Sequence, residues 1–325
     1  MSFIIKNIIY YTLLIHFFTQ LINAQRKCNG YESLCNKSYN EVVYPTTHNS
    51  FAVGKTFSSN QELSIDKQLT DGIRGLMLDI YPYEDGSIHF CHTDCNDPMF
   101  LDAGNAVDIL SIITSFLQQN PNEVITIFIE NFNGNVPADQ INEIFTSSGL
   151  INYVYTPSSH DSWPTLNEMI DNHQNVVVFS DKLHDEAYPW YLSLDEYVSY
   201  NNYVSLQNEN WNCDVYGGDG SLFLLYHMKH VQILDKGYLP DTSSIDKTNS
   251  LDGINEHTQY CDRNINYLAV DFYNHGDVVA FAAGLNGEDY SSKQTGSKAV
   301  SGSQNKKFSK YQSLTLLFLL SFLFI

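Results

Sequence analysis

Two runs without a charged residue, 124–129 (VITIFI) and 176–179 (VVVF), do most to limit the folds open to this 325-residue chain. They are rich in β-branched and aromatic residues and apolar at almost every position. A strand with one face in water alternates, whereas a strand apolar throughout is covered on both faces. Further apolar, β-rich runs lie at 42–44, 75–80, 203–206, 222–226 and 267–272, with helical patterns between them at 60–69, 106–118, 139–147 and 165–172. That alternation predicts parallel βα units. Seven or so such strands in one unit predict closure, giving the fold class α/β, a single-domain TIM-type (β/α)8 barrel over residues 25–290. The rival is an open doubly wound sheet, but no glycine-rich phosphate fingerprint follows any of the runs.

Both ends read as processing signals. Residues 1–24 combine Lys6, a long apolar run and a small Ala24 before polar Gln25, the pattern of a cleaved secretory signal peptide. The last twelve residues, 314–325 (LTLLFLLSFLFI), are apolar and too short to span a bilayer as a helix. A polar spacer precedes them, and before it comes the small triplet Ser301-Gly302-Ser303. Small residues, spacer and apolar tail form the signal for a glycosylphosphatidylinositol (GPI) anchor, here with attachment at Ser301 and a Ser/Gly/Lys-rich stalk over 291–313. The expected location is the secretory pathway and the cell surface, held to the outer membrane leaflet by the lipid anchor. A formal charge of −20 argues against nucleic acid as a partner. Six cysteines in a secretory setting imply disulfides. Spacing suggests Cys28–Cys35, Cys91–Cys95 and Cys213–Cys261, while the count alone leaves fifteen pairings open. Asn36 begins an Asn-Lys-Ser acceptor for N-glycosylation.

In a parallel barrel, working residues gather where the strands exit at their carboxyl ends. His48 and Asn49 follow the first run, Asp79 ends the second, and His92 follows a short run at 88–91. Glu130 and Asn131 terminate VITIFI, Lys182 follows VVVFSD, and Asp271 closes the last run. Singly, each has a plain explanation as a loop histidine, a helix cap, a turn or a solvated lysine. Jointly, six strand ends aim ionisable or amide groups at one rim. Arg74 precedes its strand and belongs to the opposite face, where a structural ion pair is expected.

The strings CNGYESLCNKSYNEVVYPTTHNSFA, NQELSIDKQLTDGIRGLMLDIY and IHFCHTDC carry a resemblance. So do VITIFIENF, SWPTLNEMI, VVVFSDK and NYLAVDFYNHGD. Together they resemble the phosphatidylinositol-specific phospholipase C X-domain superfamily, and more closely its secreted, often glycolipid-anchored members from plants and fungi. The likeness spans about Cys28 to Asp277. It implies cleavage of an inositol phospholipid or glycolipid by two histidines. His48 would be general base on the inositol 2-hydroxyl and His92 general acid on the departing glycerol oxygen, giving a cyclic inositol phosphate and diacylglycerol. Asp271 would orient one imidazole. Asn49, Asp79 and Lys182 would contact substrate or phosphate.

The pattern departs from the family where positive charge is needed. Calcium-dependent relatives hold a metal, and the matching set here is Asn49, Asp79 and Glu130, with Met77 where a further Glu would stand. Calcium takes six to eight oxygen ligands, so the lost carboxylate weakens the set. Metal-free relatives place an Arg two residues after the Asp, and that residue is Tyr81. Two other readings follow: a surface binding protein on a silent barrel, and a phosphodiesterase for another lipid head group.

Overall fold

The computed structural model describes residues 26–290 except 93–94, 97–100, 132–133, 160–161, 183–184 and 234–236. The signal peptide, the stalk with Ser301 and the apolar tail lie outside the described residues. Twelve strands are present among the described residues: β1 (Tyr44–Thr47), β2 (Gly75–Pro82), β3 (Ile88–Cys91), β4 (Asp102–Asn105), β5 (Ile125–Glu130) and β6 (Val176–Ser180). They continue as β7 (Tyr191–Ser193), β8 (Val198–Tyr200), β9 (Leu222–Tyr226), β10 (His230–Gln232), β11 (Tyr238–Pro240) and β12 (Tyr267–Val270). Eight of them form parallel ladders in the order β7-β6-β5-β2-β1-β12-β9-β8. Read outward from β1, that is the chain order around a (β/α)8 barrel. The end strands β7 and β8 are joined by the single turn Leu194–Tyr197, and no described ladder runs between them.

Side-chain alternation explains why the runs looked apolar at every position. Ile125, Ile127 and Ile129 on β5, Val176 and Val178 on β6, and Leu268 and Val270 on β12 pack outward, in one core with the helices Ala106–Gln119, Ala138–Ser147 and Val278–Leu285. Phe128, Val177, Phe179, Tyr267 and Ala269 face inward and form a second core. Curvature follows from ring contacts across the interior. β5 and β12 are three ladders apart, about 14 Å in a flat sheet, yet the Phe128 and Tyr267 centroids lie 4.9 Å apart. Below them, Tyr39 closes the floor through hydroxyl bonds to Thr126 (2.5 Å) and Tyr267 (2.7 Å), stacked on Trp163.

Several boundaries differ from expectation. The first strand begins at Tyr44 and runs through Pro45. Tyr44 and His48 donate to β12, so alternation turns Pro45 toward β2, whose pairing starts only at Thr46 opposite Gly75. No ladder bond is lost there. Gly75 itself is required, since a Cβ would stand 2.1 Å from Thr46 Oγ1. The strand expected at 203–206 is absent, and two three-residue strands, β7 and β8, take its place. They are too short to carry a periodic signal. The helix expected from residue 60 starts at Ile65, which leaves Asn60 and Gln61 in the preceding loop. β3 is not a barrel stave, because it runs antiparallel to the end of β2, with Phe90 opposite Ile80.

All six cysteines are paired, as Cys28–Cys35, Cys91–Cys95 and Cys213–Cys261. Arg74 forms its ion pair at the strand N-terminal end, with Glu123 at 2.6 Å, and donates to the Leu69 and Ile73 carbonyls.

Candidate active site

The inward set runs to the carboxyl end of β2, β5 and β9 and one residue past it on β1, β6 and β12. From Met77 it reaches Asp79, from Phe128 it reaches Glu130, from Phe179 it reaches Asp181, and from Tyr267 and Ala269 it reaches Asp271. The same parity carries His48 inward after Tyr44 and Thr46, and Tyr226 after Leu222 and Leu224. Period two on a curled parallel sheet therefore gathers these side chains at one mouth.

His48 Nδ1 lies 2.8 Å from Asp271 Oδ1, and Asp271 is buried. Both residues stand just before a sharp turn: Asn49 has φ 42° and Phe272 φ 47°. A left-handed Phe is strained by roughly 1–2 kcal/mol, and bonds on both sides hold it. Phe272 N–H donates to Asn60 O (2.7 Å), and Asn249 Nδ2 donates to the Asp271 and Phe272 carbonyls. Gln61 Nε2 donates to the His48 and Val270 carbonyls, locking β1 to β12 beneath the pair. Asp271 Oδ2 is buried with no hydrogen-bond partner.

His92 arrives by a different route. β3 turns back beside the end of β2 and sets His92 Nδ1 3.1 Å from Asn49 Nδ2 and 3.8 Å from Asp79 Oδ2. Burial pushes its imidazole below the ordinary histidine value. Nearby His48 adds to that shift, and Asp271 opposes it. The adjoining Cys91–Cys95 pair packs with Tyr81, which thus fills the place where an arginine was sought.

Acid dominates the rest of the mouth. Asp79 pairs in register with Glu130, and Asp181 follows on the next strand, its Oδ1 accepting from Asn131 N–H at 2.8 Å. Burial, then the charges of Glu130 and Asp181, hold the Asp79 carboxyl well above its usual range. Glu130 is raised by burial and by Asp181, with His48 and Lys182 opposing. Lys182 falls on the outward parity; its side chain is 54% exposed, with Nζ 4.0 Å from Asp181 Oδ2.

Asp79, Glu130 and Asp181 offer the hard oxygen donors that calcium takes. Among the described residues, however, no group of three or more His, Cys, Asp or Glu side chains is placed to hold a metal ion. Met77, where a further carboxylate would stand, is buried in the interior core. As described, these residues do not assemble a calcium centre.

Of the residues expected at the site, His48, Asn49, Asp79, His92 and Asp271 come together, Glu130 borders them, and Lys182 stands at the rim. Asp181, Asn60 and Tyr226 were missed. The first was legible in the parity of Val177 and Phe179, and Asn60 was hidden by a helix placed too early. Tyr226, edge-on to His48 at 6.4 Å, was counted only as strand.

A family model described as PI-PLC X 1 matches residues 34–286, across both histidine segments. The chain belongs to the PI-PLC X domain family. Among curated relatives, a protein of Arthroderma benhamiae named PI-PLC X domain-containing protein 1 is 32% identical over 278 residues, covering 80% of this chain and 89% of its own. A second from that fungus, named an uncharacterized secreted protein, is 32% identical over 300 residues. That match covers 83% of this chain, which spans only 66% of the relative's length. Among solved structures, a phosphatidylinositol-specific phospholipase C of Staphylococcus aureus superposes with a TM-score of 0.55 at 14% identity. It covers 82% of this chain and 99% of its own, a likeness of fold alone. The X-domain barrel is thus the frame on which the two histidines stand.

Proposed function

We propose that this chain is a phospholipase C-like phosphodiesterase acting on phosphatidylinositol or a glycosylated inositol lipid at the outer cell surface. The observation that carries the reading is the pairing of two differently held histidines at one mouth, His48 on a buried Asp271 at 2.8 Å and His92 on Asn49 across from it. With its Nδ1–H given to Asp271, His48 presents Nε2 as a base. It takes the proton of the inositol 2-hydroxyl. That oxygen bonds to the adjacent phosphorus as the phosphorus–glycerol oxygen bond breaks, and His92 supplies a proton to the leaving oxygen. The products are a cyclic inositol phosphate and diacylglycerol, with His48 protonated and His92 neutral until a proton returns. Asp271 stabilises the imidazolium formed on His48.

A lipid substrate is supported by the rim. The β10–β11 hairpin exposes Val231, Ile233 and Tyr238, and Tyr203 beside it is also exposed. Rings run from His48 to Tyr226, Tyr203, His230 and Tyr238 at centroid spacings of 6.2 to 6.4 Å. Anchorage at Ser301 would keep the protein at the outer leaflet. Asn36 is exposed and sterically open to a glycan.

A second reading, a surface binding protein on a silent barrel, is favoured by one feature. Asp79, Glu130 and Asp181 face the space where an anionic phosphate would sit, with Met77 and Tyr81 where charge compensation was sought. The deciding experiment follows phosphatidylinositol vesicles by phosphorus NMR with the secreted protein, in calcium and in chelator, beside His48→Ala and His92→Ala. A cyclic phosphate lost in both variants supports the enzyme. No product under any condition, with both inositol lipid and inositol glycolipid offered, favours the silent barrel.

A further inference from the structure

Asn60 lies outside every strand and helix, yet it touches both halves of the site. Its side-chain amide is buried, with Nδ2 2.9 Å from Asp271 Oδ1 and 3.4 Å from His48 Nδ1. Its Oδ1 lies 3.1 Å from Asn49 Nδ2, which is also 3.1 Å from His92 Nδ1. The orientation of a carboxamide is ordinarily ambiguous, but here chemistry removes the ambiguity. An ionised carboxylate can only accept, so the Asn60 atom facing Asp271 must be its NH2. The other end of Asn60 is then the carbonyl, and the Asn49 atom facing it must be an NH2. That same NH2 faces His92 Nδ1, which must answer with a lone pair.

We infer that Asn60 is a positioning residue that transmits hydrogen-bond polarity from Asp271 through Asn49 to His92, fixing the neutral His92 imidazole as the tautomer protonated on Nε2. This rests on the two-histidine reading for its purpose, though not for its geometry. One carboxylate thereby sets both imidazoles in opposite senses. His48 gives its Nδ1–H to Asp271 and presents a bare Nε2, the form a base needs. His92 accepts at Nδ1 and carries the proton of its neutral resting ring on Nε2, and a second proton turns it into the imidazolium that acts as the acid. The tautomer of neutral His92 with a bare Nε2 is excluded from the resting site. Asn60 is itself fixed from the backbone, since its carbonyl accepts from Phe272 N–H and its own N–H donates to Ala52 O at 2.9 Å.

The test reads tautomers directly, without substrate, by long-range proton–nitrogen correlation on the secreted full chain labelled in histidine nitrogen, at a pH where His92 is neutral. In the unmodified protein, His92 Nδ1 should resonate as an unprotonated nitrogen and Nε2 as a protonated one, with His48 the reverse. In Asn60→Ala the His92 pattern should move toward an average of the two tautomers. Asn49→Asp gives a second handle, because a carboxylate accepts and should draw the proton to His92 Nδ1. Circular dichroism and the melting transition report whether each variant is folded. A His92 protonated on Nδ1 in the unmodified protein, or an unchanged His92 pattern in both folded variants, overturns the inference. Where lipid cleavage is present, Asn60→Ala should lower kcat by roughly 10- to 100-fold with little change in KM, the usual cost of losing an outer-shell partner. If the tautomers appear as stated and no lipid is cleaved, the relay stands and the enzymatic reading falls.

Discussion

Asp271→Asn separates catalysis from folding more cleanly than any other change at this mouth. The substitution keeps size and shape. Oδ1 can still accept from His48 Nδ1 and Asn60 Nδ2, so the resting geometry should survive. What disappears is the negative charge that meets the imidazolium formed on His48 as the 2-hydroxyl loses its proton. Removing one partner of a buried ion pair costs about 3–5 kcal/mol. At 1.36 kcal/mol per decade, that is roughly 10²- to 10⁴-fold in kcat. Stability should respond far less. The new NH2 would sit where Oδ2 already has no partner, an orphan donor costing about 1–3 kcal/mol, offset by relief of a buried carboxylate with one unsatisfied oxygen. The assay is saturation kinetics on mixed phosphatidylinositol vesicles, with a melting curve alongside. A loss in kcat below tenfold in a folded variant, or a loss confined to KM, would refute the role given to Asp271.

Other outcomes follow from the same geometry. His92 must carry a proton to act as an acid, and burial and His48 depress its value. Hence kcat/KM should fall as pH rises through a value below the ordinary histidine figure of about 6.5, and a plateau extending to pH 8 would exclude His92 as the acid. Asp79→Asn should stabilise the fold at neutral pH, read as a higher melting temperature. The folded-state value of Asp79 is raised, so its charged form destabilises the fold at high pH. The gain should fade as acid protonates the wild-type carboxyl, and a stability loss at pH 7 would contradict the repulsion with Glu130 and Asp181. His227 and His257 are pushed down to about 3 and about 4, chiefly by burial. The unfolded chain therefore binds protons that the fold refuses, and their contribution to stability should decline as pH drops below about 6.5. A His257→Gln variant with unchanged acid sensitivity would speak against that. Arg74→Ala leaves Glu123 unpaired and should cost about 3–5 kcal/mol in a denaturant titration, with activity per folded molecule unaffected.

The sequence disclosed the barrel because its staves are covered twice. VITIFI and VVVF have no polar face to hide, and few architectures accept such strands. It disclosed His48, Asp79 and Asp271 because each directly continues a legible run. The same reasoning placed Lys182 one residue off the inward parity, and Asp181 holds the mouth. Strands β7 and β8, three residues each, fall below the length at which alternation can be counted, so the sheet was completed there in the wrong place. Asn60 was lost for a different reason. Ser64 stands at the helix N-cap, but the polar residues before it carry no period, and only tertiary pairing with Phe272 and Asp271 reveals where that loop goes. His92 was found, but its route as a returning antiparallel strand was not legible, since direction leaves no trace in composition.

That route has a consequence for when the site exists. His48 rides on a barrel strand and is in position once β1 and β12 have paired. His92 instead sits inside a five-residue ring closed by Cys91 and Cys95. Before those sulfurs join, the residue is held by its backbone bond to the Leu101 carbonyl, on a strand appended to the barrel rather than built into it. On the two-histidine reading proposed above, such a chain would hold its base once the barrel has folded and would fix its acid only after it has met an oxidant, which would separate the two halves of the reaction in time.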